Sequence, residues 1–227
     1  MKIIVLIVAT WLISGCSTTR TNLNIDNKRI GVDYRLNGDR DLCHNYIGVT
    51  VFNNEQKKYP VKKNLSKIIS EGYVKGIRET GNTPVVITSS IDWTNYMIES
   101  SWDGSIKLNA QGKEKIRNVS KERNLDYVLI AKDGIPKLES RGCPGSSITT
   151  RLSFIEGFTP AYVASIFDGV TGELVGDTFM TNDNFKEAYR NLSSTTELNK
   201  EDVERLVNYS SIAAYKAIKQ TLAGNKE

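Results

Sequence analysis

The sequence predicts an α/β domain: a single mixed β-sheet with amphipathic helices packed on it and a helix at the C-terminus. Three observations carry this expectation. In the first half of the chain, β-branched apolar runs alternate with segments of helical period. Between residues 148 and 180, three strand-like runs follow one another with only turn residues between them. A long amphipathic segment then closes the chain. At 227 residues, 39% apolar and 25% charged, the protein is large enough for one such domain with a real core. Collagen-like, low-complexity and wholly disordered readings are excluded.

The elements follow in order. Residues 46–52 (Tyr-Ile-Gly-Val-Thr-Val-Phe) read as a strand ending at Asn53 and Asn54. The basic, proline-containing stretch 57–63 reads as a solvated loop. Asn64 is placed to cap a helix in which Leu65, Ile68, Ile69, Tyr73 and Ile77 recur at helical spacing. Gly72 and Gly76 share that stripe. Glycine costs about 1 kcal/mol in a helix interior, so the pair implies close approach to a sheet or a neighbouring helix. Gly81 and Asn82 end the helix. Residues 84–91 form the next expected strand, and 92–99 continue as another. Asn109 caps a second helix running to Asn124, with Ile116, Val119 and Leu125 inward. The short apolar run 127–131 reads as an interior strand.

Strands are then expected at 148–155, 161–167 and 174–180. Residues 168–173 (Asp-Gly-Val-Thr-Gly-Glu) join the last two as a hairpin connection rich in residues that tolerate positive φ. Residues 181–198 are polar and irregular. Asn199 caps the closing helix, with Glu201, Asp202 and Glu204 near its start and Lys216 and Lys219 near its end, complementing the helix dipole. Val203, Leu206, Val207, Ala213, Ala214, Ala217 and Ile218 supply its buried face, and Gly224 is a suitable stop.

The N-terminus is an address. One lysine, Lys2, precedes an apolar run over residues 3–13, followed by Ser14, Gly15 and Cys16. This is the layout of a secretory signal peptide, and the run falls short of the roughly 20 residues a membrane-spanning helix needs. Ile13-Ser14-Gly15-Cys16 resembles the lipobox of bacterial prolipoproteins. The resemblance implies cleavage before Cys16 and acylation of its thiol, with acylation of the new amino group also open. Two or three acyl chains make a durable anchor. Ser17 stands where an aspartate would signal inner-membrane retention in Gram-negative sorting, so the outer membrane is expected, with the domain in the periplasm. The expected organisation is a signal peptide over 1–15, the lipidated cysteine and a polar tether over 16–28, and one domain over 29–227.

Cys43 and Cys143 remain as an even pair in an exported chain, and are expected to form a structural disulfide. His44, the one histidine, reads as a surface residue beside a half-cystine. No metal site can be assembled around it, and no cofactor is expected. The net charge of +4 is spread along the chain and does not suggest a nucleic-acid partner.

The element order, with the run Tyr127-Val-Leu-Ile-Ala131, the hairpin residues 168–173 and the terminal helix, resembles the periplasmic α/β lipoproteins of the CsgG, LpoB and TolB N-terminal-like group. The resemblance implies a domain that assembles with, or regulates, other envelope components, and it carries over no catalytic residue. No phosphate-binding glycine loop, zinc-protease helix or nucleophile elbow is present in the sequence. The expectation is therefore a non-enzymatic binding or assembly factor, anchored to the membrane through Cys16 and contacting an envelope protein. The alternatives are a hydrolase acting on glycan or peptide, and a self-assembling, secretion-type subunit; a homo-oligomer is allowed. Two surfaces are marked for partner contact. One is the aromatic cluster Trp93, Tyr96 and Trp102 among Asp92, Glu99 and Asp103, since such rings and carboxylates suit packing, protein contact and sugar stacking alike. The other is the basic run Lys57, Lys58, Lys62 and Lys63.

Overall fold

The structure, a computed structural model, describes residues 23–35, 42–48, 54–61, 63–87, 91–98, 106–133, 147–151, 154–159, 162–178, 192 and 197–223. In chain order its elements are β1 (Arg29–Arg35), β2 (Leu42–Ile47), β3 (Glu55–Tyr59), α1 (Leu65–Glu79), β4 (Thr83–Val86), a 3-10 turn (Trp93–Tyr96), β5 (Met97–Ile98), β6 (Lys107–Leu108), α2 (Ala110–Arg123), β7 (Tyr127–Asp133), β8 (Ser147–Arg151), β9 (Phe154–Thr159), β10 (Tyr162–Asp168), β11 (Leu174–Thr178) and α3 (Lys200–Ala223).

The α/β class and the C-terminal helix are as expected, but the strands do not share one sheet. Five form a mixed sheet in the order β11-β10-β7-β1-β4, four form a second in the order β3-β2-β8-β9, and β5 and β6 make a small ribbon. The two sheets repeat one three-strand order. β10-β7-β1 in the first is continued by β9-β8-β2 in the second, and each of these pairs is consecutive in the chain. Apolar alternation reports that a strand is half-buried, not which sheet takes it, so this division was invisible in the sequence.

β1 is the middle of the parallel part, pairing in parallel with β4 on one side and β7 on the other. The sequence reading missed it, because Ile30, Val32 and Tyr34 alternate over a short span broken by Asp33 and bounded by arginines. Other departures are local. Lys57 and Lys58 belong to β3 rather than to a loop, paired antiparallel with β2. The second of the expected strands after α1 is the 3-10 turn followed by the two residues of β5. The run 148–155 is two antiparallel strands, β8 and β9, with Arg151 opposite Phe154; the sequence between them holds no glycine, proline, asparagine or aspartate to mark a break. The strand expected over 46–52 begins earlier, at Leu42, and residues 49–53 lie outside the described residues.

Helices cover both faces of the five-stranded sheet. On one, Ile30, Val32, Leu129, Ala131, Ala164 and Ile166 pack against Ile69, Tyr73 and Ile77 of α1 and Ala214, Ile218 and Leu222 of α3. On the other, Val128, Ile130 and Phe167 pack against Ile116 and Val119 of α2 and against Ile87, Trp93, Ile106 and Leu108. This two-sided burial explains why β7 is apolar without interruption over 127–131. A third cluster sets Leu42, Val61 and Ile148 against Leu206, Val207 and Ala213 in the first half of α3. With 24 residues, α3 is about 36 Å long and spans both sheets.

α1 and α3 lie side by side and parallel, and the glycines fix how close they come. A Cβ on Gly72 would sit 2.2 Å from the Ser211 carbonyl oxygen, and one on Gly76 would sit 2.3 Å from Ile218 Cγ2 and 2.9 Å from the Tyr215 carbonyl oxygen. The close approach inferred from the glycine spacing is thus to a neighbouring helix. At the start of α1, Lys63 Nζ donates to Asn208 Oδ1, in the third turn of α3, at 3.0 Å. At their ends, the Tyr215 hydroxyl donates to Glu79, which also takes Lys219 Nζ at 3.3 Å. Lys75 and Lys219 flank the Tyr215 ring at 5.1 and 5.3 Å from its centroid. The Tyr215 hydrogen bond, aided by Lys219 and Lys75 against a smaller effect of burial, holds the Glu79 carboxyl below its ordinary pKa.

The expected caps are in place. Asn64 Oδ1 accepts from Lys67 N–H at 3.0 Å and Asn109 Oδ1 from Gly112 N–H at 2.8 Å, while Asn124 ends α2 in the left-handed region at φ 52°. On the open side of β4, Pro84 removes a donor where none is needed: the neighbouring Thr83 and Ile87 N–H groups turn inward to β1, at 2.7 Å from Lys28 O and 2.9 Å from Val32 O.

The stretch 23–28, expected to be part of a tether, packs on the domain instead. Leu23 N–H donates to Thr221 O at 2.9 Å and Ile25 N–H to Leu222 O at 3.2 Å. The Asn82 side chain bonds both Ile25 O and Lys28 N. Residues 23–28 are therefore docked on the end of α3, because Leu23 and Ile25 place two apolar side chains on the core. Within the expected tether, 17–22 lie outside the described residues.

Gly72→Ala should destabilise the protein by about 2–4 kcal/mol, since a backbone carbonyl blocks the new methyl and the helix-propensity gain is only about 1 kcal/mol. Glu71→Ala, on the exposed face of the same turn, should change little; urea unfolding of the two variants checks this. Acid should weaken the Glu79 clip. Its carboxyl pKa is lowered by folding, so its contribution is full above the unfolded glutamate value of about 4.3 and is lost as pH falls through the folded-state value. Thermal unfolding between about pH 6 and pH 3 should accordingly show a smaller loss of stability for Glu79→Gln than for the wild type.

Candidate functional site

A groove of about 400 Å³ opens where α1 and α3 begin, lined by Tyr59, Pro60, Val61, Lys63, Lys200, Val203, Glu204 and Val207. β3 builds one wall. Its last residue, Tyr59, accepts the Leu198 N–H on its hydroxyl at 3.0 Å, and Lys57 reaches Glu197 at 3.6 Å. These two contacts hold the approach to α3 against the strand. The helix start is closed by reciprocal bonds: Asn199 Oδ1 accepts from Asp202 N–H at 2.8 Å, and Asp202 Oδ2 accepts from Asn199 N–H at 3.3 Å. Asp202 is buried and its other oxygen lies 3.6 Å from Arg205.

Val61, Val203 and Val207 belong to the core cluster beneath, so the floor of the groove is an apolar extension of the core. Pro60, Lys63, Lys200 and Glu204 are exposed around it. Two amines and one carboxylate over an apolar floor can hold a side chain or short segment that is apolar with a negative group. Among these lining residues the sole hydroxyl is that of Tyr59, which already fastens the α3 start.

The sequence-marked aromatic cluster is largely a core feature. Trp93 is 3% exposed, its indole N–H donates to Asp33 Oδ2 at 2.8 Å, and its ring meets Tyr96 edge-on at 6.2 Å between centroids. The expected contact surface is corrected at Trp93: the indole fills the space between the sheet and α2 and satisfies a buried carboxylate. Tyr96 is half-buried beside it and Asp92 is exposed. Glu99, Trp102 and Asp103 lie outside the described residues. So does Lys62, while Lys57 and Lys58 sit on β3 and Lys63 at the groove.

His44 is also corrected, being 1% exposed in β2 between Lys57 and Ile148 of the neighbouring strands. Cys43 beside it is fully buried; Cys16 and Cys143 lie outside the described residues. Among the described residues no three His, Cys, Asp or Glu side chains gather as a metal site, and no helix is long and apolar enough to cross a membrane.

The sequence reading missed a polar row across the five-stranded sheet. Asp33, Ile130, Ser165 and Asp177 stand side by side in register. Ser165 Oγ accepts the Ile106 N–H at 3.0 Å and donates to Asp177, fastening the segment before β6 to the sheet. The available signal was one polar residue at a sheet-facing position in each of β1, β10 and β11, on either side of Ile130. No protein-family model matches the chain, and a search of curated proteins finds no relative of it.

Trp93→Phe keeps most of the packing but leaves the buried Asp33 carboxylate one donor short. It should cost about 1–3 kcal/mol in urea unfolding, whereas a surface aromatic would change stability by less than about 0.5 kcal/mol.

Proposed function

We propose that the protein is a lipid-anchored, non-enzymatic binding or assembly factor of the cell envelope, held in the outer membrane through Cys16 with its domain in the periplasm, and that the groove at the start of α3 takes the partner. The observation that carries the binding reading is the chemistry of that groove. Its floor of Val61, Val203 and Val207 and its rim of Lys63 and Lys200 suit an apolar segment bearing a carboxylate, presented by another envelope protein.

The anchor rests on the lipobox Ile13-Ser14-Gly15-Cys16 after the apolar run. A lipid confines the domain to a surface and raises its effective concentration toward partners there. The strand register leaves the expected disulfide within reach, and such a bond would require an oxidising compartment. Cys43 lies opposite Ser147, and Cys143 stands four residues before Ser147, a stretch that reaches at most about 14 Å. A Cys43–Cys143 disulfide would tie β2 to the approach of β8.

Crosslinking in cells followed by affinity purification tests the reading. Wild-type protein should fractionate with the outer membrane and carry a crosslinked protein partner. Cys16→Ser should appear in the soluble periplasmic fraction. The double variant Lys63→Glu, Lys200→Glu should stay folded and anchored yet lose the partner by about tenfold or more. Turnover of purified cell-wall glycan or peptide by the domain would replace this reading with the hydrolase.

A further inference from the structure

We propose that the pole at which the chain enters the fold rests on the bilayer, with Val170 dipping into the headgroup region, so that the groove faces away from the membrane. This rests on the reading that Cys16 carries lipid.

Both long helices of the α1–α3 pair begin at the groove and end at the entry pole. Lys63 and Lys200 line the groove, whereas Asn82, just past α1, and Thr221, near the end of α3, bond the entering segment. From Lys200 to Thr221 the helix rises about 32 Å. From Cys16 to Leu23 the chain has seven residues to extend, at most about 25 Å. If α3 stood on the membrane with the groove downward, Leu23 would be held higher than the tether reaches. That orientation is excluded by length alone, and the choice lies between the entry pole down and the domain on its side.

The surface of the pole decides between them. Arg29 N–H donates to Asp126 Oδ2 at 2.8 Å, and Gly169 N–H donates to Asp126 O at 2.7 Å, so the β10–β11 turn sits at the chain entry. At its tip Val170 is 78% exposed, the most exposed large apolar side chain among the described residues. The turn is stiff: Asp168 Oδ1 accepts from Val170 N–H at 2.9 Å, Thr171 N–H at 2.7 Å and the Thr171 hydroxyl at 3.0 Å. Arg117 ties it to α2 through Thr171 O at 3.1 Å. A rigid tip with an apolar end loses little entropy on entering an interface. Charges of both signs surround it at the same end of the fold: Arg29, Arg78 and Lys121 with Asp26, Glu79 and Glu122.

The test uses the full lipidated protein in vesicles of phosphatidylethanolamine and phosphatidylglycerol. An environment-sensitive fluorophore is placed at Val170→Cys and, separately, on the groove rim at Glu204→Cys, with unsubstituted protein labelled in parallel as the blank. Spin-labelled lipids bearing the quencher near the headgroup should quench the label at position 170 at least about threefold more than that at 204. Equal or reversed quenching, in protein that floats with the vesicles, would overturn the orientation and leave the anchor standing. Flotation of Cys16→Ser as efficient as that of the wild type, or none by the wild type, would overturn the anchor and the orientation with it.

Discussion

The contact between α1 and α3 at Gly72 and Gly76 sets the geometry on which the rest of the structure depends. A side chain at either position would meet backbone or a buried isoleucine inside van der Waals distance, so the helices can touch only because those two methyls are missing. The cost of two helix-interior glycines is offset by the apolar face that the pair then presents to the sheet: Ile69, Tyr73 and Ile77 beside Ala214, Ile218 and Leu222. The small alanines of α3 serve the same purpose from the other side. Tyr73 shows how dry this layer is. Burial pushes its phenol pKa well up, and only in part does the hydrogen bond with Thr178 offset that.

Because α3 is locked to α1, it can act as a beam across both sheets. Its second half seals the five-stranded sheet, and its first half covers Leu42 and Ile148 of the other. The two ends of that beam have different chemistry. At the start, the core surfaces between Pro60 and Val207 as a groove rimmed by lysines. At the end, the chain enters through Leu23 and Ile25 and caps the helix with its own backbone.

Legibility in the sequence followed the strength of local signals. α1, α2 and α3 were readable to within a residue or two, because Asn64, Asn109 and Asn199 cap them and their apolar positions keep a helical period. β7, β10 and β11 were readable from β-branched runs and the Asp168 turn. β1 was not, since three apolar residues alternating with Gly31 and Asp33 carry little contrast. The groove was half visible: the Lys57–Lys63 stretch drew attention as charge, but its partner, the first two turns of α3, lies about 140 residues further along the chain. The aromatic cluster misled at Trp93, whose carboxylate neighbours in sequence concealed a carboxylate partner from β1.

By itself the sequence determined the local conformations, helix limits and most strands, and it supplied the expectations of a lipidated start at Cys16 and of a Cys43–Cys143 pair. These depend on neighbours within a few residues, where capping, periodicity and short motifs act. Tertiary structure alone decided which strands share a sheet, that Trp93 and His44 lie inside, and that the residues after Leu23 belong to the domain. It also decided that a groove forms where β3 meets α3. Each of those follows from groups far apart in the chain competing for the same buried space, and no local pattern records the outcome of that competition.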